Sequence, residues 1–168
     1  ACCFAAAGGQ GVQQLDAALG VRTLDGHRIW FEALPLPPRR LEGNTNLDLA
    51  VGAIARRGST VSGIQFDGAL GDSVCFCEFK WYSDISTKVT HHQHRNQLAR
   101  VIENAITFQD AEGNMPSRCT VTLITPAAFK TEPKSRLYHY KFEEYCERPE
   151  CLLDEFARCD ARMNPRMG

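Results

Sequence analysis

Apolar and polar positions along the chain change period several times, and each change predicts a new element. Residues 27–34 alternate between apolar and polar side chains, as the residues of a half-buried strand do. Residues 10–19 and 44–58 have helical spacing, and a glycine ends each stretch, which favours a helix C-terminus. The proline-broken residues 34–40 are therefore expected to connect a strand to the second helix.

The middle of the chain predicts a hairpin followed by a helix. Residues 59–70 and 73–82 are typical of strands, and the short Gly-Asp stretch between them favours a tight turn. Thr90 and Gln93 fit a capping box, which predicts a helix that runs to about Thr107. The remaining predicted elements are a central strand at 119–126, from a continuous β-branched run, and helices at 133–147 and 149–162.

This order of elements predicts an α/β fold, with a central mixed β-sheet flanked by helices in a single domain over residues 1–168. The chain is 43% apolar and 23% charged, as ordinary globular proteins are, and no apolar run reaches the length of a membrane span. We therefore expect no membrane partner. Cys75 and Cys77 alternate within a core strand, which is typical of reduced thiols and favours a cytoplasmic location.

A formal net charge of −1 argues against a protein that binds polyanions over its whole surface, and leaves nucleic acid to local basic patches. The near-neutral charge is also consistent with a homodimer or larger complex, in which another chain supplies part of the binding surface.

Glu78 and Lys80 raise the main chemical question, because strand alternation places both on one face of an apolar strand. A buried carboxylate is costly unless it is paired or binds a cation. One solution is an ion pair between the two residues at a sheet edge. In the other, Glu78 and Asp67, on adjacent antiparallel strands, converge on Mg²⁺ or Mn²⁺, which takes few protein oxygens and leaves room for water and phosphate. Lys80 would then position the attacking water or stabilise the charge that develops on a phosphodiester.

Asp67, ten intervening residues and Glu78-Phe79-Lys80 resemble the motif of the PD-(D/E)xK, or restriction-endonuclease-like, nuclease superfamily. The resemblance covers about residues 44–126, with helical additions at both ends of the chain. It also includes Gln97, which matches a glutamine that many members carry on the helix after the ExK strand. Asp48 best matches the acid of the first helix, and Glu42 is its rival.

The resemblance implies a metal-dependent nuclease that hydrolyses phosphodiester bonds in nucleic acid, with DNA as the expected substrate. It implies catalytic roles for Asp67, Glu78, Lys80 and Gln97. The metal ligands would be Asp67 and Glu78, with Asp48 bound directly or through water. The alternative is a non-catalytic domain of the same fold that binds nucleic acid or another protein.

Other residues admit two interpretations. His91, His94, Arg95 and Arg100 could contact a nucleic-acid backbone, although exposed neutral histidines are the simpler interpretation. Trp81 and Tyr82 could stack on bases, but packing at the strand end is favoured. For Cys146, Cys151 and Cys159 packing is again the simpler role, with a zinc ion or an iron–sulfur cluster as the alternative.

Overall fold

The computed structural model describes residues 13–14, 17–19, 28–39, 43–88, 95–131 and 136–158. Within the predicted first helix, the described residues 13–14 and 17–19 are helical. The strands are β1 (Arg28–Pro35), β2 (Leu47–Gly52), β3 (Ile54–Arg56), β4 (Gly63–Phe66), β5 (Ser73–Phe79) and β6 (Arg118–Ile124). The helices are α1 (Gln97–Ile106), α2 (Ala128–Thr131), α3 (Leu137–Glu147) and α4 (Pro149–Ala157), with a 3₁₀ turn at Gly68–Leu70.

The six strands form one mixed sheet in the order β3-β4-β1-β2-β5-β6. β2 is antiparallel to both β1 and β5, whereas β5 and β6 are parallel and are joined through α1. This confirms the α/β class and the mixed sheet flanked by helices. No helix among the described residues is long and apolar enough to cross a membrane.

The helix predicted over residues 44–58 is wrong, because this stretch forms β2 and β3. β2 is buried on both faces, so its apolar run shows no strand alternation and matches a helix pattern equally well. The stretch bends at Gly52, whose φ is +129°. A Cβ there would lie 2.3 Å from the carbonyl oxygen of Ser73, so only glycine lets β2 end this close to β5.

The predicted hairpin between the strands at 59–70 and 73–82 is also wrong. β4 pairs with β1 and β3, and β1 and β2 lie between it and β5. The 3₁₀ turn at Gly68–Leu70 begins the chain's return from β4 to β5. β6 is another correction, since it lies at the end of the described sheet and stays half-exposed along most of its length instead of being central.

Different residues pack against the two faces of the sheet. Phe76 and Val74 on one face pack with Val101 and Ala105 of α1, while Cys75 and Cys77 on the other pack with Leu49 and Val51. Helix α1 begins after Asn96, whose side chain accepts a hydrogen bond from the N–H of Ala99 at 3.0 Å. The capping box at Thr90 and Gln93 lies outside the described residues. The carboxyl end of β5 and the N-terminus of α1 lie at the same end of the sheet, where Gln97 contacts Glu78.

Candidate active site

Glu78 and Lys80 form a buried ion pair at the end of β5. Glu78 is 4% exposed and Lys80 is 7% exposed. The Nζ atom of Lys80 donates a hydrogen bond to Oε1 of Glu78 at 2.7 Å. Because β5 lies between β2 and β6, the pair is inside the sheet rather than at its edge. The predicted ion pair is therefore present, and only its expected place at a sheet edge is wrong.

Gln97 joins this pair from the first turn of α1. Its Nε2 atom donates to Oε1 of Glu78 at 2.5 Å, and its Oε1 accepts from the N–H of Ser86 at 3.4 Å. The backbone N–H of Gln97 also donates to the carbonyl of Ser86, at 3.1 Å. Gln97 thus links the helix, the segment after β5 and the buried carboxylate, and it orients Glu78 by occupying one of its two oxygens.

Asp48 approaches the same carboxylate from β2. The register pairs Leu49 with Cys77, so one further step places Asp48 across from Glu78. Oδ2 of Asp48 accepts a hydrogen bond from the backbone N–H of Phe79 at 2.7 Å, which fixes its position beside the ion pair. Asp48 therefore joins the site from a strand and not from the helix on which it was expected.

The environment of Glu78 disfavours its charged form. Burial raises the pKa of this carboxyl above its usual value, and the negative charge of Asp48 raises it further. The hydrogen bonds from Lys80 and Gln97 act in the opposite direction without cancelling the effect. Both of these donors reach Oε1, and Oε2 is buried with no hydrogen-bond donor among the described residues. No described residue therefore competes with a proton or a cation for this oxygen.

Asp67 lies away from this cluster. Its Oδ1 accepts from the N–H of Ala69 at 3.1 Å, as the cap of the 3₁₀ turn. Its own N–H donates to the carbonyl of Ala53, whose N–H in turn contacts Ser73 at the start of β5. Glu78 is five residues beyond Ser73 in the same strand. At about 3.3 Å per residue, the two residues are about 17 Å apart. The predicted meeting of Asp67 and Glu78 on adjacent strands is wrong, because β4 and β5 are not neighbours.

The predicted nucleic-acid contacts have separate outcomes. Arg95 is fully buried and pairs through Nη2 with Oε2 of Glu103, while Arg39 bonds the other oxygen of Glu103 at 2.6 Å. A surface role for Arg95 is therefore wrong. Arg100 is half-buried and donates to the carbonyl of Gly43, and its contact with nucleic acid stays a prediction. His91 and His94 lie outside the described residues, and so does Glu42, the rival of Asp48.

Trp81 and Tyr82 project outward directly after Lys80, so the packing role favoured for them is wrong. Trp81 is 74% exposed and Tyr82 is 64% exposed. Their ring centroids are 5.3 Å apart, and the ring of Tyr82 is 5.8 Å from that of Phe129. The guanidinium of Arg136 lies 4.4 Å from the centroid of Phe129. Sequence reasoning missed Phe129 and Arg136, which lie far along the chain from the site strand.

Asp84 was also missed, because the helix that it caps begins 53 residues further along the chain. Its Oδ2 accepts from the N–H of Leu137 at 2.6 Å and its Oδ1 from that of Tyr138 at 3.1 Å. The carboxylate thereby satisfies donors at the N-terminus of α3, where a negative charge is also favourable. It holds the segment that follows Lys80 and Trp81 against that helix.

The described cysteines add no metal-binding group to the site. Cys75 and Cys77 are buried with their Sγ atoms 3.7 Å apart, while Cys146 is exposed on α3 and Cys151 half-buried on α4. Cys159 lies beyond the described residues. The described ranges contain no group of three or more His, Cys, Asp or Glu side chains that could hold a metal ion. A cation beside Asp48 and Glu78 would have to complete its coordination with water and substrate oxygens.

Comparison with protein-family models, curated proteins and solved structures gives no match for this chain. The function therefore has to be inferred from the geometry of the cluster of Asp48, Glu78, Lys80 and Gln97.

Proposed function

We propose that this protein is a divalent-metal-dependent nuclease that hydrolyses phosphodiester bonds in nucleic acid, most readily DNA. Its active site would consist of Asp48, Glu78, Lys80 and Gln97. The observation that supports this most directly is the buried Oε2 of Glu78, which receives no hydrogen bond from the described residues while Asp48 stands across from it. Two acidic groups and an unused oxygen at a strand end suit a cation better than they suit a packed core.

The donor set fits Mg²⁺ or Mn²⁺. These cations prefer oxygen ligands, and Mg²⁺ often binds through only one or two carboxylates while keeping several waters. Asp48 and Glu78 would hold the ion. Because the described residues add no third acid, its other positions stay open to water and phosphate oxygens. When bound, the ion would polarise the phosphodiester and lower the pKa of a water molecule.

The other two side chains have complementary roles in this proposal. Gln97 donates to Oε1 of Glu78 and would leave Oε2 for the cation. Lys80 offsets the charge of Glu78 while the site is empty. With substrate present, the same ammonium group can stabilise negative charge that develops on the phosphate, which is worth most in a site that excludes water. The catalytic role inferred for Asp67 is transferred to Asp48, since of these two residues Asp48 is the one that lies across from Glu78.

Two matched variants test this assignment. Asp48→Asn keeps an oxygen that can accept the hydrogen bond from Phe79, so the fold should persist while a charged metal ligand is lost. We expect cleavage of supercoiled plasmid and of single-stranded DNA to fall by about 100-fold or more, since losing even an outer partner of a metal ligand costs about 10–100-fold. Asp67→Asn should cut within about twofold of the wild-type rate, because a cap substitution of this kind affects stability and not the site.

The assay needs Mg²⁺, Mn²⁺ and EDTA arms, and calorimetric titration of each metal into all three proteins. Cleavage by Asp48→Asn at the wild-type rate would refute the site. Absence of both cleavage and metal binding in the wild-type protein would support the alternative, a non-catalytic domain that binds nucleic acid or another protein.

A further inference from the structure

Two exposed aromatic rings, in contact with a third ring that is half-buried, directly follow the candidate active-site strand. Trp81 and Tyr82 directly follow Lys80, and Phe129 joins them from α2. The term aromatic platform is used below for Trp81, Tyr82 and Phe129. Their positions bring side chains from two distant segments of the chain to the carboxyl ends of β5 and β6.

Burial does not explain the aromatic platform. An exposed tryptophan gives up most of the free energy that its burial would contribute, and Trp81 is 74% exposed. Tyr82 also has a φ of +57°, a left-handed conformation that is uncommon for a residue other than glycine. Backbone conformations of this kind persist where the surrounding structure enforces them, often at binding sites. The segment therefore holds two large rings outward in a fixed arrangement.

The charge beside the aromatic platform identifies the kind of ligand. Arg136 lies over Phe129, with its guanidinium 4.4 Å from the ring centroid, so a cation borders the rings. Lys80 directly precedes Trp81 in the chain but is buried and paired with Glu78, so Arg136 is the cation that borders the rings. Exposed rings beside a cation match the combination of flat bases and anionic phosphates along a single nucleic-acid strand. An apolar protein partner would not need this cation.

We propose that the aromatic platform stacks on unpaired bases of a single strand and so guides that strand to the candidate active site. This inference rests on the proposed nuclease function and narrows its substrate class. Every base offers a π-face, so the platform would accept any sequence. A blunt duplex keeps its bases stacked on one another, and it should therefore gain little from these rings.

Binding is measured apart from cleavage by working in EDTA. The probe is a fluorescein-labelled oligothymidylate of about 12 nucleotides, a length within the range that single-strand binding sites occupy. Its affinity is followed by fluorescence anisotropy and compared with that of a labelled blunt duplex. The variants are Trp81→Ala, Trp81→Phe, which keeps a ring, and Val61→Ala. Val61 is an exposed apolar residue between β3 and β4, at the other end of the sheet.

We expect Trp81→Ala to weaken binding of the oligothymidylate by about 5- to 150-fold, the effect of losing one stacked base. Trp81→Phe should restore most of the affinity, Val61→Ala should not change it, and duplex binding should respond much less. The inference is overturned if the wild-type protein does not bind the oligothymidylate, as a protein-docking surface would predict. It is also overturned if Trp81→Ala binds normally, or if duplex binding falls equally.

These outcomes separate the two proposals. Binding that depends on Trp81, in a protein that neither binds metal nor cuts, would leave the aromatic platform standing and refute the nuclease. Cleavage lost in Asp48→Asn, together with normal oligothymidylate binding by Trp81→Ala, would do the reverse.

Discussion

The buried pair of Glu78 and Lys80 leads to a quantitative prediction about stability. Lys80→Met keeps most of the aliphatic stem but removes the ammonium group that lies 2.7 Å from Oε1 of Glu78. Among the described residues, Gln97 is then the remaining donor to that carboxylate. Both partners are more than nine-tenths buried, so solvent cannot replace the lost cation. We expect the free energy of unfolding to fall by about 3–5 kcal/mol near neutral pH, as when one partner of a buried pair is removed.

The double variant Glu78→Gln with Lys80→Met isolates the electrostatic part of this cost. It replaces two buried charges by neutral groups of similar shape, a change that is often neutral or stabilising. We expect its free energy of unfolding to lie within about 1 kcal/mol of the wild-type value, and the two substitutions to be non-additive by at least about 2 kcal/mol. Urea unfolding followed by circular dichroism measures all four proteins of the cycle.

The pH dependence of Lys80→Met has a defined sign. The pKa of Glu78 is already raised above the ordinary value of 4.5, and removing Lys80 takes away the influences that lower it most. Below 4.5 the carboxyl is protonated in both the folded and the unfolded chain, so the variant should show little electrostatic penalty. Above it, the unfolded chain releases the proton first, and stability should fall by about 1.4 kcal/mol per pH unit until the folded pKa is passed. Additive costs in the cycle, or a cost independent of pH, would refute this account of the pair.

Three further predictions follow from the structure. Binding of Mg²⁺ measured by calorimetry should weaken as the pH falls through the raised pKa of Glu78, and an affinity that stays constant down to pH 4.5 would contradict its role as a ligand. Arg95→Met should lower the melting temperature by about 6–20 °C, from a loss of about 3–5 kcal/mol, while the folded variant keeps its oligonucleotide affinity. A stable Arg95→Met protein with weakened affinity would restore the surface role. Asp84→Ala should destabilise the protein to urea by about 1–2 kcal/mol through lost helix capping, and an unchanged midpoint would exclude that role.

The local pattern of apolar and polar residues was sufficient to predict a side chain's direction where that direction follows from its own strand or helix. Alternation along β5 correctly placed Glu78 and Lys80 on one face, since β5 is a regular strand. The order of a strand, a helix and a parallel strand likewise follows from the β5–α1–β6 unit. The mixed α/β sheet could therefore be predicted from the sequence, although the four pairings that involve β2, β3 or β4 could not.

The position of Asp67 could not be predicted, because strand pairing depends on the whole sheet. β4 and β5 are adjacent in sequence, and a short polar turn favoured a hairpin, but β4 instead pairs with β1 and β3. The prediction of a helix over residues 44–58 failed for a different reason. A segment buried on both faces has no alternation to distinguish a strand from a helix, so the strand that carries Asp48 was missed.

Exposure was equally hard to infer for Arg95 and Trp81. Arg95 stands in a polar, basic stretch that is typical of a surface, yet Glu103 and Arg39 bury it in an ion-pair network. One of those partners comes from a segment that lies far earlier in the chain. Trp81 ends an apolar strand, a position that usually packs, but the sheet ends at Phe79 and the ring projects beyond it.

The fold by itself does not require a charged pair at the end of β5. Replacing a buried ion pair by packed apolar side chains is commonly neutral or stabilising, so stability alone does not account for Glu78 and Lys80. Their position agrees with the proposed role in catalysis. β2 begins and β6 ends beside them, α1 begins above them, and the chain leaves the sheet directly afterwards through Trp81 and Tyr82. Acids and a cation thus lie at the strand ends, with two exposed rings directly after them in the chain, an arrangement that agrees with the proposed nuclease acting on single strands.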